Sequence, residues 1–351
     1  MNRKRFGIIL LITATVGLPR AQSEASSDTI AFHRYNPETG SQDIYMMDGS
    51  GTILAQLTSD SLNESSPAWS PDGQKIAFQV STPGSSESTI HIMDANGGNA
   101  SALPISSPPS SELFHPEWLP DGRRIAFTAL TPYLDTTANN DVYVVNSDGA
   151  DLTPVLTGPT DDCCAVWSPD GTKIAFLRNE GGLGVVYLMN SDGTELIGRS
   201  GPGGVGPPTW APDSKSIAVS WTAGPGDSAL YSLDVPGTSA VRLTAGSEPY
   251  EGLRWSPDGE RITFSRGELS GDIHVLTVDS GEETNLTNSK ELVNGGADWR
   301  PLGSNTVMFP RSGGPSAYDN SWEGLFGIGV VAFMLGFVVV SLCRRRARGP
   351  I

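Results

Sequence analysis

The sequence predicts an all-β fold, a six-bladed β-propeller, with a cleavable N-terminal signal and one C-terminal transmembrane helix. Three observations lead to this prediction. The 351 residues include 41 Gly and 26 Pro but only 18% charged residues, which favours many turns over long amphipathic helices. A motif that begins with Trp recurs about every 45 residues, the length of a four-stranded blade. Finally, each end of the chain carries an apolar run flanked by basic residues.

The N-terminal segment has the three parts of a secretory signal. Residues 3–5 are Arg-Lys-Arg, residues 6–18 form an apolar run too short to span a bilayer comfortably, and small residues follow at Ala21 and Ser23. We therefore expect residues 1–23 to be a cleaved signal peptide. An uncleaved N-terminal anchor is the alternative.

The repeated unit reads Trp-Ser-Pro-Asp-Gly-x-x-Ile-Ala-Phe in its most complete form. Five copies and a degenerate sixth lie 49, 49, 43, 45 and 44 residues apart, Trp to Trp. Pro presets φ for a turn, Asp accepts backbone hydrogen bonds, and Gly adopts positive φ, so the motif predicts a chain reversal between two strands. The structural residues of the repeat are Trp69, Asp72, Gly73, Trp118, Asp121, Gly122, Trp167, Asp170, Gly171, Trp210, Asp213, Trp255, Asp258, Gly259 and Trp299.

Each repeat supplies the remaining strands of a blade. Ile-Ala-Phe begins the second strand, a third follows as at 43–48, and a short fourth often ends in Leu-Thr. Six third strands predict six blades. No strand alternates cleanly between apolar and polar residues, which indicates that both faces of each blade are packed. The first repeat lacks its Trp strand, so we expect Ala297-Asp298-Trp299 to complete it and close the ring. Seven blades remain an alternative because 306–309 resembles a further second strand.

The repeat, followed by segments such as Ile44-Tyr45-Met46-Met47-Asp48, resembles the WD-like repeat of TolB-type β-propellers. The same repeat forms the propeller of prolyl-oligopeptidase and dipeptidyl-peptidase proteins. The resemblance covers residues 28–309 and implies a propeller fold, but it says much less about function. Two departures stand out: we find neither the small α/β domain that precedes the propeller in TolB nor room for a hydrolase domain.

The sequence offers little recognisable catalytic chemistry. It contains no Gly-x-Ser-x-Gly nucleophile elbow, and its four histidines lack metal-ligand spacing. His91 and His274 take the third-strand position that Tyr holds in other repeats, so we expect them to be packed side chains. We predict no cofactor and incline against an enzyme. Two hairpins space oxygen atoms as in calcium loops, although a structural turn is preferred for both; their residues are Asn146, Asp148, Asp151, Asn190, Asp192 and Glu195.

Two adjacent cysteines and three acids precede the inner strands of two blades. Cys163 and Cys164 could form a strained vicinal disulfide, pair between molecules or remain buried thiols, and we favour the last two. Glu117, Asp161 and Asp162 are the candidate acids of the channel mouth, should the protein be an enzyme.

The C-terminal residues predict a membrane anchor. Residues 310–323 form a Gly/Pro/Ser-rich stalk, and the uncharged residues 324–343 match the thickness of a bilayer as a helix. The tail 344–351 carries Arg344, Arg345, Arg346 and Arg348, which place it in the cytoplasm. The propeller is therefore expected outside the cytoplasmic (plasma) membrane, on a single-pass anchor.

Charge limits the choice of partners. The whole chain has a net charge of −16, but eight of its 23 basic residues lie in the signal and the tail, so the exported part carries about −24. Such a charge argues against nucleic acid and anionic membrane surfaces. We expect a binding or scaffold module for an extracytoplasmic protein, peptide or glycan. The alternative is a propeller hydrolase or lyase with an acidic site at the channel mouth, with or without calcium.

Overall fold

The computed structural model describes residues 28–301, except 108, 134–136, 200–203, 225, 236, 238, 245, 247–248, 267–270 and 290–291. These residues form 25 strands arranged in six antiparallel sheets, which confirms an all-β fold. Within this part of the chain no helix is long and apolar enough to cross a bilayer. The predicted signal, the stalk, the transmembrane segment and the segment 306–309 lie outside the described residues.

The strands follow one another as the repeats predict, with the Trp motif ending the inner strand of each blade. In chain order they are β1 (Thr29–Asn36), β2 (Ser41–Asp48), β3 (Ile53–Gln56), β4 (Asn63–Trp69), β5 (Lys75–Ser81), β6 (Ser88–Asp94), β7 (Ser101–Ala102), β8 (Leu113–Trp118), β9 (Arg124–Tyr133), β10 (Thr137–Asn146), β11 (Thr153–Leu156), β12 (Asp161–Trp167), β13 (Lys173–Glu180), β14 (Leu183–Asn190), β15 (Ile197–Arg199), β16 (Gly204–Val205), β17 (Thr209–Trp210), β18 (Ser216–Gly224), β19 (Asp227–Asp234), β20 (Ala240–Arg242), β21 (Tyr250–Trp255), β22 (Arg261–Arg266), β23 (Asp272–Thr277), β24 (Glu282–Asn285) and β25 (Asn294–Trp299).

The ring closes between the two ends of the propeller. β25 pairs with β1, Ile30 opposite Trp299, so the first sheet has the order β25-β1-β2-β3. The other blades, numbered two to six, begin at β4, β8, β12, β16 and β21. Both the closing strand and the count of six blades are therefore confirmed over the described residues.

Hydrogen bonds explain why the turn motif recurs. The Ser70 hydroxyl donates to the Asp72 carboxylate (2.7 Å) and accepts the Lys75 backbone N–H (2.9 Å), while Gly73 takes a φ of 65°. Ser168 and Ser256 make the same contacts in the fourth and sixth blades. Each turn thus uses its side chains to satisfy backbone groups that the reversal leaves unpaired.

The Leu-Thr ending of the fourth strands has a similar cause. In the first blade the Thr58 hydroxyl accepts the Ile44 N–H (2.9 Å), and Leu57 N–H donates to the Ile44 carbonyl. Equivalent threonines in the fifth and sixth blades accept from Leu230 and Ile273. The pair therefore extends the outer ladder beyond the regular strand.

The core lies in layers between neighbouring blades, where the Ile-Ala-Phe segments are almost fully buried. Aromatic residues of second and third strands pack against one another, as in Phe127 and Tyr143 (6.0 Å between ring centroids). His274 stacks in the same way, 5.6 Å from Phe264, and His91 packs at a tilt against Phe78, with 5.7 Å between the ring centroids. The expectation of packed histidines at the tyrosine position is confirmed.

Candidate functional site

The six inner strands enclose a channel cavity of about 380 Å³. Every blade contributes to its lining, and second strands add polar side chains such as His33 and Gln79. One lining residue from each blade is Ser66, His115, Cys164, Pro207, Arg254 and Ala297. A cavity built by all blades of a closed ring is the concave polar surface at which we look for function.

The inner strands share a bulge three residues before the repeat Trp. At this position five blades have a positive φ, between 51° and 61°, and the strand pairing shifts register nearby. The fifth blade carries Pro207 at this position, and its ring fixes φ at a negative value. A bulge redirects the side chains of its strand. The five residues are Ser66, His115, Cys164, Gly252 and Gly296.

An ionic cluster lies one residue before the Trp. Arg254 in the sixth blade reaches across the channel to Glu117 in the opposite, third blade (Nη2–Oε2 3.0 Å). Its Nε lies 3.4 Å from Oδ1 of Asp298 in the neighbouring first blade. The other oxygen of Asp298 accepts the backbone N–H of Trp69 (2.7 Å). This cluster bridges the channel and ties the closing strand to both adjacent blades.

The electrostatics of the cluster are unbalanced. Burial raises the pKa of Asp298 to about 7, with Arg254 lowering it and Glu117 raising it. Burial also raises the pKa of Glu117, an effect that Arg254 opposes. One guanidinium faces two carboxyl groups, so full ionisation would leave one net negative charge in this partly buried cluster. The cluster therefore holds a proton more readily than exposed acids do.

Several buried polar atoms around the cavity have no hydrogen-bond partner among the described residues. They are His33 Nδ1, Arg254 Nε and Ser265 Oγ. The His33 imidazole packs against Gly295 and Gly296, where an added Cβ would come within 3.0 Å of the ring. Burial lowers the pKa of His33 to about 4, so the ring is neutral at neutral pH. These atoms can bind a ligand that enters the channel.

Cys164 is a free, buried thiol that lines the cavity. Its Sγ lies 3.5 Å from Nδ1 of His115 and 3.1 Å from Sγ of Cys163. The vicinal disulfide considered for the sequence is therefore absent. Burial raises the pKa of the Cys164 thiol to about 12 and lowers the pKa of His115 to about 4. Both groups are neutral at physiological pH.

The three candidate acids have different surroundings. Glu117 lies in the channel as expected, at the position described above. Asp162 instead forms a two-point ion pair with Arg178 (2.6 and 2.9 Å), and Asp161 accepts hydrogen bonds from the side chains of Asn140 and Asn179. Asp161 therefore links the third and fourth blades, Asp162 pairs within the fourth blade, and the structure does not bring either acid to the channel cluster.

The two calcium-like loops use their oxygen atoms within the turns. Asp148 accepts the Ala150 N–H (3.0 Å), and Asp192 accepts the N–H and hydroxyl of Thr194. Asn146 donates to Asp151 (2.7 Å). In the described residues no group of three or more His, Cys, Asp or Glu side chains is arranged to hold a metal ion.

The sequence analysis did not identify Arg254 and Asp298 as channel residues. A usable signal was present: among the residues that directly precede the repeat Trp, only Glu117, Arg254 and Asp298 are charged. The other blades have Ala68, Val166 and Thr209 there. Equivalent positions of a closed ring face a common axis, so comparison of this position across the repeats would have grouped the three.

Comparison with known sequences gives matches to parts of the chain. No family model matches the chain. It is 34% identical over 131 residues to YuxL, an uncharacterized peptidase of Bacillus subtilis, a match covering 35% of this chain and 18% of that protein. It is 33% identical over 145 residues to an uncharacterized protein of Agrobacterium fabrum, a match covering 39% of this chain and 46% of that protein. The chain thus spans less than half the length of either relative.

Solved structures resemble the chain over most of the propeller. TolB from Acinetobacter baumannii matches with a TM-score of 0.65 and 20% identity, covering 78% of this chain and 67% of that one. A chain of the nidogen/laminin complex matches with a TM-score of 0.59 and 14% identity, covering 78% and 98%. An oligogalacturonate lyase in complex with manganese matches with a TM-score of 0.50 and 15% identity, covering 74% of this chain and 73% of that one. At these identities the likeness shows a TolB-like propeller fold.

Proposed function

We propose that this chain is a membrane-anchored extracytoplasmic binding module whose central channel receives a protein, peptide or glycan ligand. The observation that carries the proposal is the channel cavity, with its bridging ionic cluster and its buried polar atoms that lack partners. Leaving such atoms unpaired costs free energy that a hydrogen-bonding ligand recovers. A binding role agrees with the use of this fold in a chain of the nidogen/laminin complex.

Rigidity supports the same role. The bulged inner strands are held by four-stranded sheets and by a closed ring, so the cavity is formed before any ligand arrives. Preformed sites lose little conformational entropy on binding. The exported segment carries about −24, and this charge favours neutral or basic partners.

Co-purification tests this function. The full chain is cross-linked in native membranes and recovered with its partners, alongside Glu117→Gln/Arg254→Gln, which removes two charges of the channel cluster. The control is Lys75→Gln/Asp94→Asn, which removes an exposed ion pair (3.1 Å) on the second blade. We expect a partner with wild type and control but not with the channel variant. Equal recovery with both variants would reject the channel as the binding site.

The membrane anchor is tested separately. We expect alkaline carbonate to leave the full chain in the membrane, whereas a chain that ends before residue 324 is released. Protease added to intact cells or spheroplasts should digest the propeller and spare the tail. Release of the full chain by carbonate would refute the anchor, and protection of the propeller would refute its outward orientation.

A hydrolase or lyase is the second candidate, favoured by one geometric observation. Cys164 and His115 lie 3.5 Å apart in the same cavity as Glu117, an arrangement of nucleophile, base and acid. The high pKa of the thiol and the low pKa of the imidazole keep both neutral, so the thiol is a poor nucleophile. Binding is therefore the better proposal. Turnover of an ester or peptide by the full chain that is lost in Cys164→Ser would reverse this order.

A further inference from the structure

Five residues before the repeat Trp, each inner strand faces one residue of the second strand. In three blades an arginine faces a hydrogen-bonding side chain, in two blades both residues are apolar, and in the second blade a carboxylate faces an apolar residue. The pairs are Arg34 with Asn294, Arg178 with Asp162, Arg266 with Tyr250, Ala129 with Leu113, Trp221 with Val205, and Val80 with Glu64.

Each of the three arginines contacts an acceptor and an aromatic ring. The ring is a third-strand tyrosine for Arg34 and Arg178, whereas Tyr250 is both ring and acceptor for Arg266. Each donates to the residue it faces: Arg34 Nε to Asn294 at 2.7 Å, Arg178 Nε to Asp162 at 2.6 Å, and Arg266 Nη2 to the Tyr250 hydroxyl at 2.8 Å. Each guanidinium also lies over an aromatic ring, at 4.6–5.3 Å from the centroid. Acceptor and ring together form a guanidinium site within the blade.

The second blade has an acid at the equivalent position but no arginine facing it. Glu64 is 2% exposed, and it accepts a hydrogen bond from the Thr58 hydroxyl at 3.4 Å. The ring pair of Phe78 and His91 is in place. Val80, which faces Glu64, supplies no charge.

A second acid points to a missing cation. Asp43 is 1% exposed, and its Oδ1 has no hydrogen-bond partner among the described residues. Burial raises the pKa of Glu64 to about 8, helped by the hydrogen bond that protonated Glu64 donates to Asp60 and by the charges of Asp60 and Asp43. A carboxylate with this environment is stabilised by a positive charge placed against it.

We propose that the second blade binds the guanidinium group of an external ligand at Glu64, in the place that an internal arginine fills in three other blades. A guanidinium fits better than an ammonium because its planar face stacks on a ring while its edge donates two hydrogen bonds to a carboxylate. The source is either a free guanidino compound or an arginine of a partner. This site is separate from the channel, so it stands independently of the proposed binding role there.

The test measures the thermal midpoint of the full chain in detergent at pH 8.5 and constant ionic strength. The probes, at 10 mM, are methylguanidinium, acetyl-Gly-Arg-Gly-amide and the matching lysine peptide. A ligand at about ten times its Kd raises the midpoint of a domain of this size by roughly 2–4 °C. We expect this rise with the arginine peptide and a clearly smaller one with the lysine peptide. Methylguanidinium shows whether the group alone suffices.

Variants assign the rise to the site. Glu64→Gln removes the charge with little change of shape, and Val80→Arg supplies an internal guanidinium; we expect neither to respond. Glu87→Gln, an exposed acid of the same blade, is the control and should respond like wild type. At pH 6 the rise in the midpoint should shrink, because Glu64, with a pKa of about 8, is then protonated. The groups that face it are Asp43, Asp60, Thr58 and His91. An equal rise in Glu64→Gln, or no rise with either guanidinium probe, would overturn the proposal.

Discussion

Two buried acids at equivalent positions should respond to neutralisation with opposite signs. Glu64 and Asp162 both lie five residues before a repeat Trp, and both are almost fully buried, but only Asp162 faces an arginine. Replacing Glu64 by Gln removes an uncompensated charge. Replacing Asp162 by Asn leaves the Arg178 guanidinium, whose side chain is 16% exposed, without its partner.

The size of the first effect follows from the pKa of Glu64, ordinarily 4.5 and about 8 in the folded protein. The folded state therefore holds this proton over a range in which the unfolded state has released it, so stability is lost as pH rises from 4.5 to 8. The full difference corresponds to roughly 4–5 kcal/mol, and we expect about 2–4 kcal/mol because the protonation of Asp43 is coupled to that of Glu64. Glu64→Gln should thus be near wild type at pH 4.5 and more stable at pH 9.

Asp162→Asn should lose about 3 kcal/mol at both pH values, since breaking a buried pair leaves one charge uncompensated. The assay is urea unfolding of the full chain in detergent, followed by tryptophan fluorescence at pH 4.5, 7 and 9. Urea is used because guanidinium would compete for the site. If Glu64→Gln were less stable than wild type at pH 9, or its difference from wild type did not change with pH, the electrostatic reasoning would be wrong.

Three further predictions concern the closing strand, the turns and the thiol. Asp298→Asn should flatten the pH dependence of the unfolding midpoint between about 4 and 7, because wild type loses stability as Asp298 releases its raised-pKa proton; an unchanged profile would contradict the pKa near 7. Ser168→Ala should cost about 1–3 kcal/mol in urea unfolding, since two buried hydrogen bonds are lost, whereas the fifth blade already carries Ala211 at this position. Cys164 should resist iodoacetamide at pH 7.5 for hours and react in urea, as mass spectrometry would detect; rapid labelling of the folded chain would mean a more acidic thiol than burial implies.

The sequence was sufficient to predict the architecture because blade structure is local and repeated. The turn contacts of Ser70 and Asp72 span five residues, and the same pattern recurs wherever the motif does. Ring closure was predictable for a related reason: a first repeat without its Trp strand requires one from elsewhere. The packing of His91 and His274 followed from their place in the repeat.

The channel cluster was harder to predict because two of its three contacts join residues 137 and 229 positions apart along the chain. Sequence proximity to an inner strand suggested Glu117, Asp161 and Asp162 equally, but only the position of a residue within the strand decides whether it meets the channel. Asp162 faces Arg178 on the next strand, and this ion pair gives Asp162 a structural role within the blade.

The cavity is completed only when the closing strand β25 joins the first blade. Synthesis proceeds from the N-terminus, and Asp298 is among the last described residues of the propeller to be made. Until β25 joins β1, the first blade has three strands, and the channel lacks both an acid and the contact with Trp69. Without β25 the lining of the cavity is therefore incomplete, so under the proposed binding role a nascent or truncated chain lacks the finished site.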